Sequence, residues 1–186
     1  ANTAAIGVRV ANTTETSATT LTYGGTVGDA AGVQAFRNKV AITNNTITNT
    51  YSAVLLNAAT AASGTHSTND TLNVVSGNTI TNFGGSSVSC TVISFNDNRA
   101  LTCSNNNINS ISAGHTGTFV AINGGSGPHG TISGNTISVS PATTTNTVGG
   151  ILWGSSGTGN TINITNNTIT GCTLANATTG TFTGIN

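Results

Sequence analysis

Hydrophobic residues in this chain come singly and at short intervals. A polar residue, an isoleucine or valine and another polar residue alternate for a few positions, then Asn or Gly intervenes and the alternation begins again. Period two over such short runs predicts β-strands. No stretch has the 3.6-residue period of an amphipathic helix.

The strands recur as a unit, which points to a repeat architecture. Segments 44–48 (N-N-T-I-T), 77–81 (G-N-T-I-T), 105–109 (N-N-N-I-N), 134–138 (G-N-T-I-S) and 166–170 (N-N-T-I-T) align on Ile47, Ile80, Ile108, Ile137 and Ile169. Their spacings are 33, 28, 29 and 32 residues, as expected of a constant scaffold with loops of variable length. Five residues before each isoleucine stand Ile42, Val75, Cys103, Ile132 and Ile164, a second inward column that makes Cys103 a core residue. A third strand is expected at 32–36, 53–56, 91–95, 118–122, 150–153 and 181–185. Three short strands per repeat predict an all-β fold: a right-handed parallel β-helix, a three-strand solenoid of about six coils of ~30 residues each. Residues 1–186 read as one solenoid domain, with 32–186 as regular coils. Residues 1–31 fit worst; Ile6, Val8 and Val10 alternate like a strand and suggest an atypical first coil or an interface segment.

The polar positions of the repeat are equally regular. Two residues before each isoleucine stand Asn45, Asn78, Asn106, Asn135 and Asn167. Strands stacked ~4.8 Å apart would let these amides bond from coil to coil in one vertical, buried ladder. One position earlier stand Asn44, Gly77, Asn105, Gly134 and Asn166, and a site that takes only Asn or Gly has φ > 0. The residues flanking each isoleucine point outward: Thr46/Thr48, Thr79/Thr81, Asn107/Asn109, Thr136/Ser138 and Thr168/Thr170. A grid of Thr-x-Thr pairs resembles the ice-binding face of solenoid antifreeze proteins, although Thr also favours strands for its own sake.

Composition narrows the function. Asp, Glu, Lys and Arg make up 4% of the 186 residues, against about 25% in ordinary soluble proteins, and none follows Arg99. Four cations cannot form the basic stripe that neutralises phosphates, so no nucleic-acid partner is expected. No run of 18 apolar residues exists, so no membrane insertion by a helix is expected either. The chain opens at Ala1 with neither initiator Met nor signal peptide, as a processed or excised product does. Cys90, Cys103 and Cys172 lack metal-ligand spacing and read as small buried hydrophobes.

The G/N-N-T-I-S/T core, its Ser/Thr/Gly-rich spacers and the G-I-x strand together resemble the right-handed parallel β-helix repeats of very large extracellular surface and adhesin proteins of Bacteroidota, over about residues 32–186. That resemblance implies an exported structural or adhesive molecule at the cell surface, with surface glycans or other cells as partners. Asp70-Thr71-Leu72 also resembles the short Asp-Thr/Ser-aliphatic acceptor of O-glycosylation in that phylum, which implies modification of Thr71.

Parallel β-helices also include carbohydrate-active enzymes, which work through carboxylates. Glycoside hydrolysis needs two of them across one bond, and the chain has four in all. Asp70 and Asp97 precede Ile80 and Ile108 by 10 and 11 residues and fall on neighbouring coils of one loop face, with Arg99 nearby. A solvated Asp97–Arg99 pair is the simpler account. His66, His115 and His129 read as loop residues without partners at ligand spacing. No cofactor, metal or catalytic residue is expected, and the chain reads as no enzyme. The expectation is a structural subunit or segment of an extracellular filament, fibre or adhesin stalk. It would assemble with itself head to tail through solenoid ends formed by Ile6, Val8 and Val10 and by Phe182 and Ile185, with no cap on the final coil. Ice binding through the Thr face is the second reading and a carbohydrate-active enzyme the third.

Overall fold

Thr, Ile and Val favour extended backbone because their branched side chains pack well on a pleated surface. Asn and Gly between them permit the tight bends that extended backbone cannot make. A computed structural model of the chain follows this logic. It describes residues 6–11, 14–17, 20–22, 39–57, 70–85, 87–96, 98–111, 114–124, 129–142, 145–154, 161–174 and 178–186.

Every regular element among these residues is a strand. β1 (Ile6–Ala11) precedes a short antiparallel pair, β2 (Thr14–Ser17) and β3 (Thr20–Thr22). The first coil holds β4 (Ala41–Thr43), β5 (Thr46–Thr48) and β6 (Ser52–Asn57). β7 (Asp70–Thr71) leads into the second coil, β8 (Val74–Ser76), β9 (Thr79–Thr81) and β10 (Cys90–Asn96). The third holds β11 (Asn98–Ser104), β12 (Asn107–Asn109) and β13 (Phe119–Gly124). The fourth holds β14 (His129–Ser133), β15 (Thr136–Ser138) and β16 (Val148–Trp153). The fifth holds β17 (Thr161–Thr165), β18 (Thr168–Ile169) and β19 (Phe182–Ile185).

Each strand pairs in parallel with its equivalents one coil away, which makes three sheets. The first sheet runs β4-β8-β11-β14-β17, the second β5-β9-β12-β15-β18 and the third β1-β6-β10-β13-β16-β19. This is an all-β parallel solenoid. Its coil count falls short of the expected six: among the described residues five coils carry all three strands, and one further position is filled only by β1 in the third sheet. The expected strand at 32–36 lies outside the described residues. The alternation of Ile6, Val8 and Val10 is a strand of the solenoid itself, with Val8 beside Val54 and Val10 beside Leu56.

Pairing in register stacks like residues on like. Ile42, Val75, Cys103, Ile132 and Ile164 follow one another up the first sheet. Ile47, Ile80, Ile108, Ile137 and Ile169 do so in the second. Val54, Ile93, Ile122, Ile151 and Ile185 do so in the third. The columns meet between the sheets, and their members in the three inner coils are fully buried. Phe83 and Phe119 stack at 5.4 Å between ring centroids and close the corner between the second and third sheets. The bend between the first two sheets has the expected left-handed residue in every coil, at φ 58, 67, 54, 65 and 54 for Asn44, Gly77, Asn105, Gly134 and Asn166. A second left-handed bend follows the second sheet at Asn49, Asn82, Ser110 and Gly171. The fourth coil has Val139 there, a β-branched residue that resists φ > 0 and is buried instead.

Candidate functional site

The asparagines form the continuous polar feature of the interior. Asn106 shows the rule. Its Nδ2 donates to Val75 O at 2.9 Å in the coil before and to Asn135 Oδ1 at 2.9 Å in the coil after. Its backbone N–H also donates to Asn135 Oδ1, at 3.0 Å. Its own Oδ1 accepts the N–H and Nδ2 of Asn78, at 3.1 and 2.9 Å. Asn45 donates to Asn78 in this way and Asn135 to Asn167, so the five form one ladder. Asn78, Asn106 and Asn135 are buried, yet every polar group of their amides is bonded, which removes the usual penalty for burying them. The expectation of burial fails at both ends, where Asn45 is exposed and Asn167 half-buried. Only a member with a coil on each side is enclosed.

The neighbouring column holds more order than the sequence reading found. Along the stack it runs Asn44, Gly77, Asn105, Gly134, Asn166, a strict alternation. A Cβ on Gly77 would collide with Asn44 Oδ1, and one on Gly134 with Asn105 Oδ1. Asn44 and Asn105 therefore each lean into the space that glycine leaves in the next coil. On the other side of the bend, Thr43, Ser76, Ser104, Ser133 and Thr165 form a column of hydroxyls. Ser76 and Ser104 share a hydrogen bond of 3.0 Å across one step of it. The signal was present, since a Ser or Thr follows every member of the first apolar column.

Thr46, Thr79, Asn107, Thr136 and Thr168 are registered side by side on the outer face of the second sheet. Thr48 lies beside Thr81 and Asn109 beside Ser138, while Thr170 lies just past β18. The face is not uniform. Thr46, Thr48, Thr136, Thr168 and Thr170 are exposed, whereas Thr79, Thr81 and Ser138 are half-buried. Thr81 Oγ1 donates to Thr48 Oγ1 at 3.2 Å, and Asn109 Nδ2 to Asn107 Oδ1 at 3.1 Å.

The residues weighed for chemistry are partly brought together. Asp70 is registered with Asn98 and Arg99 with Thr71, on adjacent coils at the entry to the first sheet. His129 is registered with Arg99 one coil further on. Asp97 and His66 lie outside the described residues. His129 opens β14 and is not a loop residue. His115 is in a loop, but its ring is buried edge-on to Phe119 at 6.5 Å between centroids. Cys90 and Cys103 are buried and Cys172 half-buried, all as free thiols. Desolvation pushes the thiols of Cys90 and Cys103 from 9.0 up to about 12. They are thereby poor nucleophiles.

Comparison with family models, with curated proteins and with solved structures finds no match. The outermost described coils differ from the inner ones in what they expose. The two ends are unlike. At the first coil Ile42 and Ile47 are only 6% and 8% exposed. At the fifth, Ile164 and Ile169 of the same columns are half-buried, and Phe182 and Ile185 on β19 are 43% and 54% exposed. Among the described residues no asparagine follows Asn167 to accept its N–H, and none precedes Asn45 to donate to its Oδ1. The ladder thus has a donor end and an acceptor end.

Proposed function

We propose that this chain is a structural subunit or segment of an extracellular filament, fibre or adhesin stalk, extended by head-to-tail addition of coils. The observation that carries the reading is the in-register stacking of like residues on like in all three sheets, which a further coil could continue past the edge of β19, where Phe182 and Ile185 are exposed. Such an edge is a template for another strand. A strand with the alternation of β1 answers it, since the column Val54, Ile93, Ile122, Ile151, Ile185 already begins at Val8. Addition of β1 from a second copy to β19 would continue the third sheet in register. Among the described residues the first sheet, apart from β7 beside β11, and the second sheet stack five strands against its six and are one strand short at such a joint. Identical heterologous joints propagate and do not close. The uncharged Thr/Ser/Asn skin, and the resemblance of residues 32–186 to Bacteroidota surface repeats, fit a place outside the cell with other copies, glycans or cells as partners. We assign the chain no catalysis and no cofactor.

Sedimentation velocity over a hundredfold range of concentration tests the reading. Assemblies that grow with concentration are expected, and Thr183→Pro, which removes a donor from the terminal strand, should abolish them while leaving the inner coils folded. A single monomer species at every concentration would end the proposal for this chain.

The Thr-x-Thr face supports ice binding less well. Its hydroxyls bond laterally to one another, as Thr81 does to Thr48, and Asn107 and Asn109 interrupt the grid. No thermal hysteresis beyond colligative freezing is expected; a hysteresis gap lost on Thr79→Tyr would reverse the order of the two readings. As to catalysis, no turnover of pectin-, alginate- or glucan-like polymers is expected, and a rate abolished by Asp70→Asn or Asp97→Asn would reinstate the enzyme.

A further inference from the structure

The first sheet contains a fault that the repeat does not require. Leu72 and Ala100 have φ 58 and 54, a left-handed conformation unfavourable for both residue types. They hold the same position in the second and third coils, since Thr71 pairs with Arg99 and Val74 with Thr102. The fourth coil has no counterpart. Arg99 pairs with His129 and Leu101 with Gly130, so Ala100 is an extra residue bulged out of the ladder. Beyond that step β14 and β17 pair residue for residue from His129 and Thr161 onward. The sheet therefore bends on one side of the step and runs straight on the other.

A surface cleft of about 330 Å³ opens where the two geometries meet, across the third, fourth and fifth coils. Gly130 supplies part of its floor, and a Cβ there would press on Leu101 O at 3.1 Å. Thr102, Thr131 and Asn163, registered side by side, line it with one hydroxyl or amide per coil. His129 lines it too, and its Nδ1 accepts the backbone N–H of Thr161 at 3.1 Å. That bond fixes the ring and leaves Nε2 to carry the proton of the neutral imidazole, as a donor. No carboxylate, lysine or arginine is among the described side chains lining the cleft.

We propose that this cleft binds a short stretch of a neutral glycan. The volume is near the lower limit for a small-molecule site, which suits a saccharide unit or two and not a large ligand. Hydroxyls and an amide that both donate and accept, one fixed N–H donor and the exposed methyl of Ala100 match a sugar ring, with hydroxyls at its rim and C–H groups on its faces. They offer nothing to a phosphate or a uronate, which would call for a cation. Bulges are enriched where a ladder is interrupted to aim side chains at a ligand, and left-handed backbone at non-glycine residues is a feature of binding sites. The proposed site binds without cleaving, since no pair of carboxylates lies across it among the described residues. It does not depend on how coils are added at the fifth-coil end.

Calorimetric titration of the chain with xylohexaose, cellohexaose and mannohexaose, and with hexagalacturonate as the charged control, tests the proposal, with hydrogen–deuterium exchange to locate any binding. At least one neutral hexasaccharide should bind and protect peptides spanning 98–104, 129–133 and 161–165. Thr131→Leu, which fills the cleft, and His129→Phe, which keeps a ring but removes the donor, should each weaken binding about tenfold, the loss of roughly one hydrogen bond. Exchange of the unliganded variants distinguishes lost binding from lost folding. Absence of binding by all three neutral sugars, protection elsewhere on the chain, undiminished affinity in both folded variants, or tighter binding of hexagalacturonate would each overturn the proposal.

Discussion

An amide enclosed between two others has no water to fall back on, so each rung of the ladder depends on its neighbours. Asn106→Ala removes the amide bonds that Asn106 donates to Val75 O and Asn135 Oδ1 and the two that it accepts from Asn78, and leaves Val75 O and the N–H of Asn78 without these partners. It should cost ~1–3 kcal/mol, read from urea denaturation, whereas Asn45→Ala at the exposed end should cost only a fraction of that. The Asn column was legible in the sequence because it is invariant across the repeats. The alternation of Asn44, Gly77, Asn105, Gly134 and Asn166 was read only as a backbone preference, because its cause is a contact between coils about 30 residues apart. That cause predicts coupling. Gly134→Ala should destabilise less in an Asn105→Gly background than alone, by about 0.5–3 kcal/mol in a double-mutant cycle; equal costs would mean that φ alone selects the column. The buried thiols add a pH dependence. Their pKa is raised in the folded state from 9.0 to about 12, so their contribution is complete below pH 9.0 and is lost as pH climbs toward about 12. Cys103→Val, which copies Val75 one coil away, should reduce that alkaline loss in denaturant titrations at pH 8 and pH 11. An unchanged loss would place its source elsewhere.

At the scale of elements, strand existence followed from period-two alternation, and the three strands of each coil lie where the aligned repeats put them. Irregularities followed less well. The bulge at Ala100 has no mark in composition, because alanine carries no preference for a left-handed backbone and is chosen by the pairing of β11 with β14. The pairing of β1 with β6 escaped the repeat search because Ile6–Ala11 lacks the N-x-I motif and belongs to the third sheet, whose sequence varies most. That sheet also contains a size exchange. Gly124 pairs with Trp153, and a Cβ on Gly124 would enter the space of the indole ring. The glycine is what allows β16 to carry the chain's one tryptophan at this position. Gly124→Ala should displace the ring, shifting its fluorescence to the red and lowering stability by ~1–3 kcal/mol, the usual cost of overpacking. An unshifted spectrum would show that the ring has room to spare.

For the molecule as a whole, repetition does what charge and a thick core do elsewhere. Stability in such a stack is close to a sum over coils and the interfaces between them. Adding a coil therefore lengthens such a stack without a new kind of contact. This logic was legible in the sequence as far as the solenoid and its polar ladder. Phe182 and Ile185 were read from the sequence as end residues and are exposed, whereas the low exposure of Ile42 and Ile47 in the first coil has no mark in the sequence. Extension of the stack past β19, proposed above, is the central claim. Electron cryo-microscopy of the concentrated protein tests it most directly. The account predicts filaments with a strand repeat of ~4.8 Å and, from the six-strand sheet, a subunit rise of about 29 Å, with β19 of one copy beside β1 of the next. Isolated particles at high concentration, or filaments whose joints leave Phe182 and Ile185 in solvent, would contradict it.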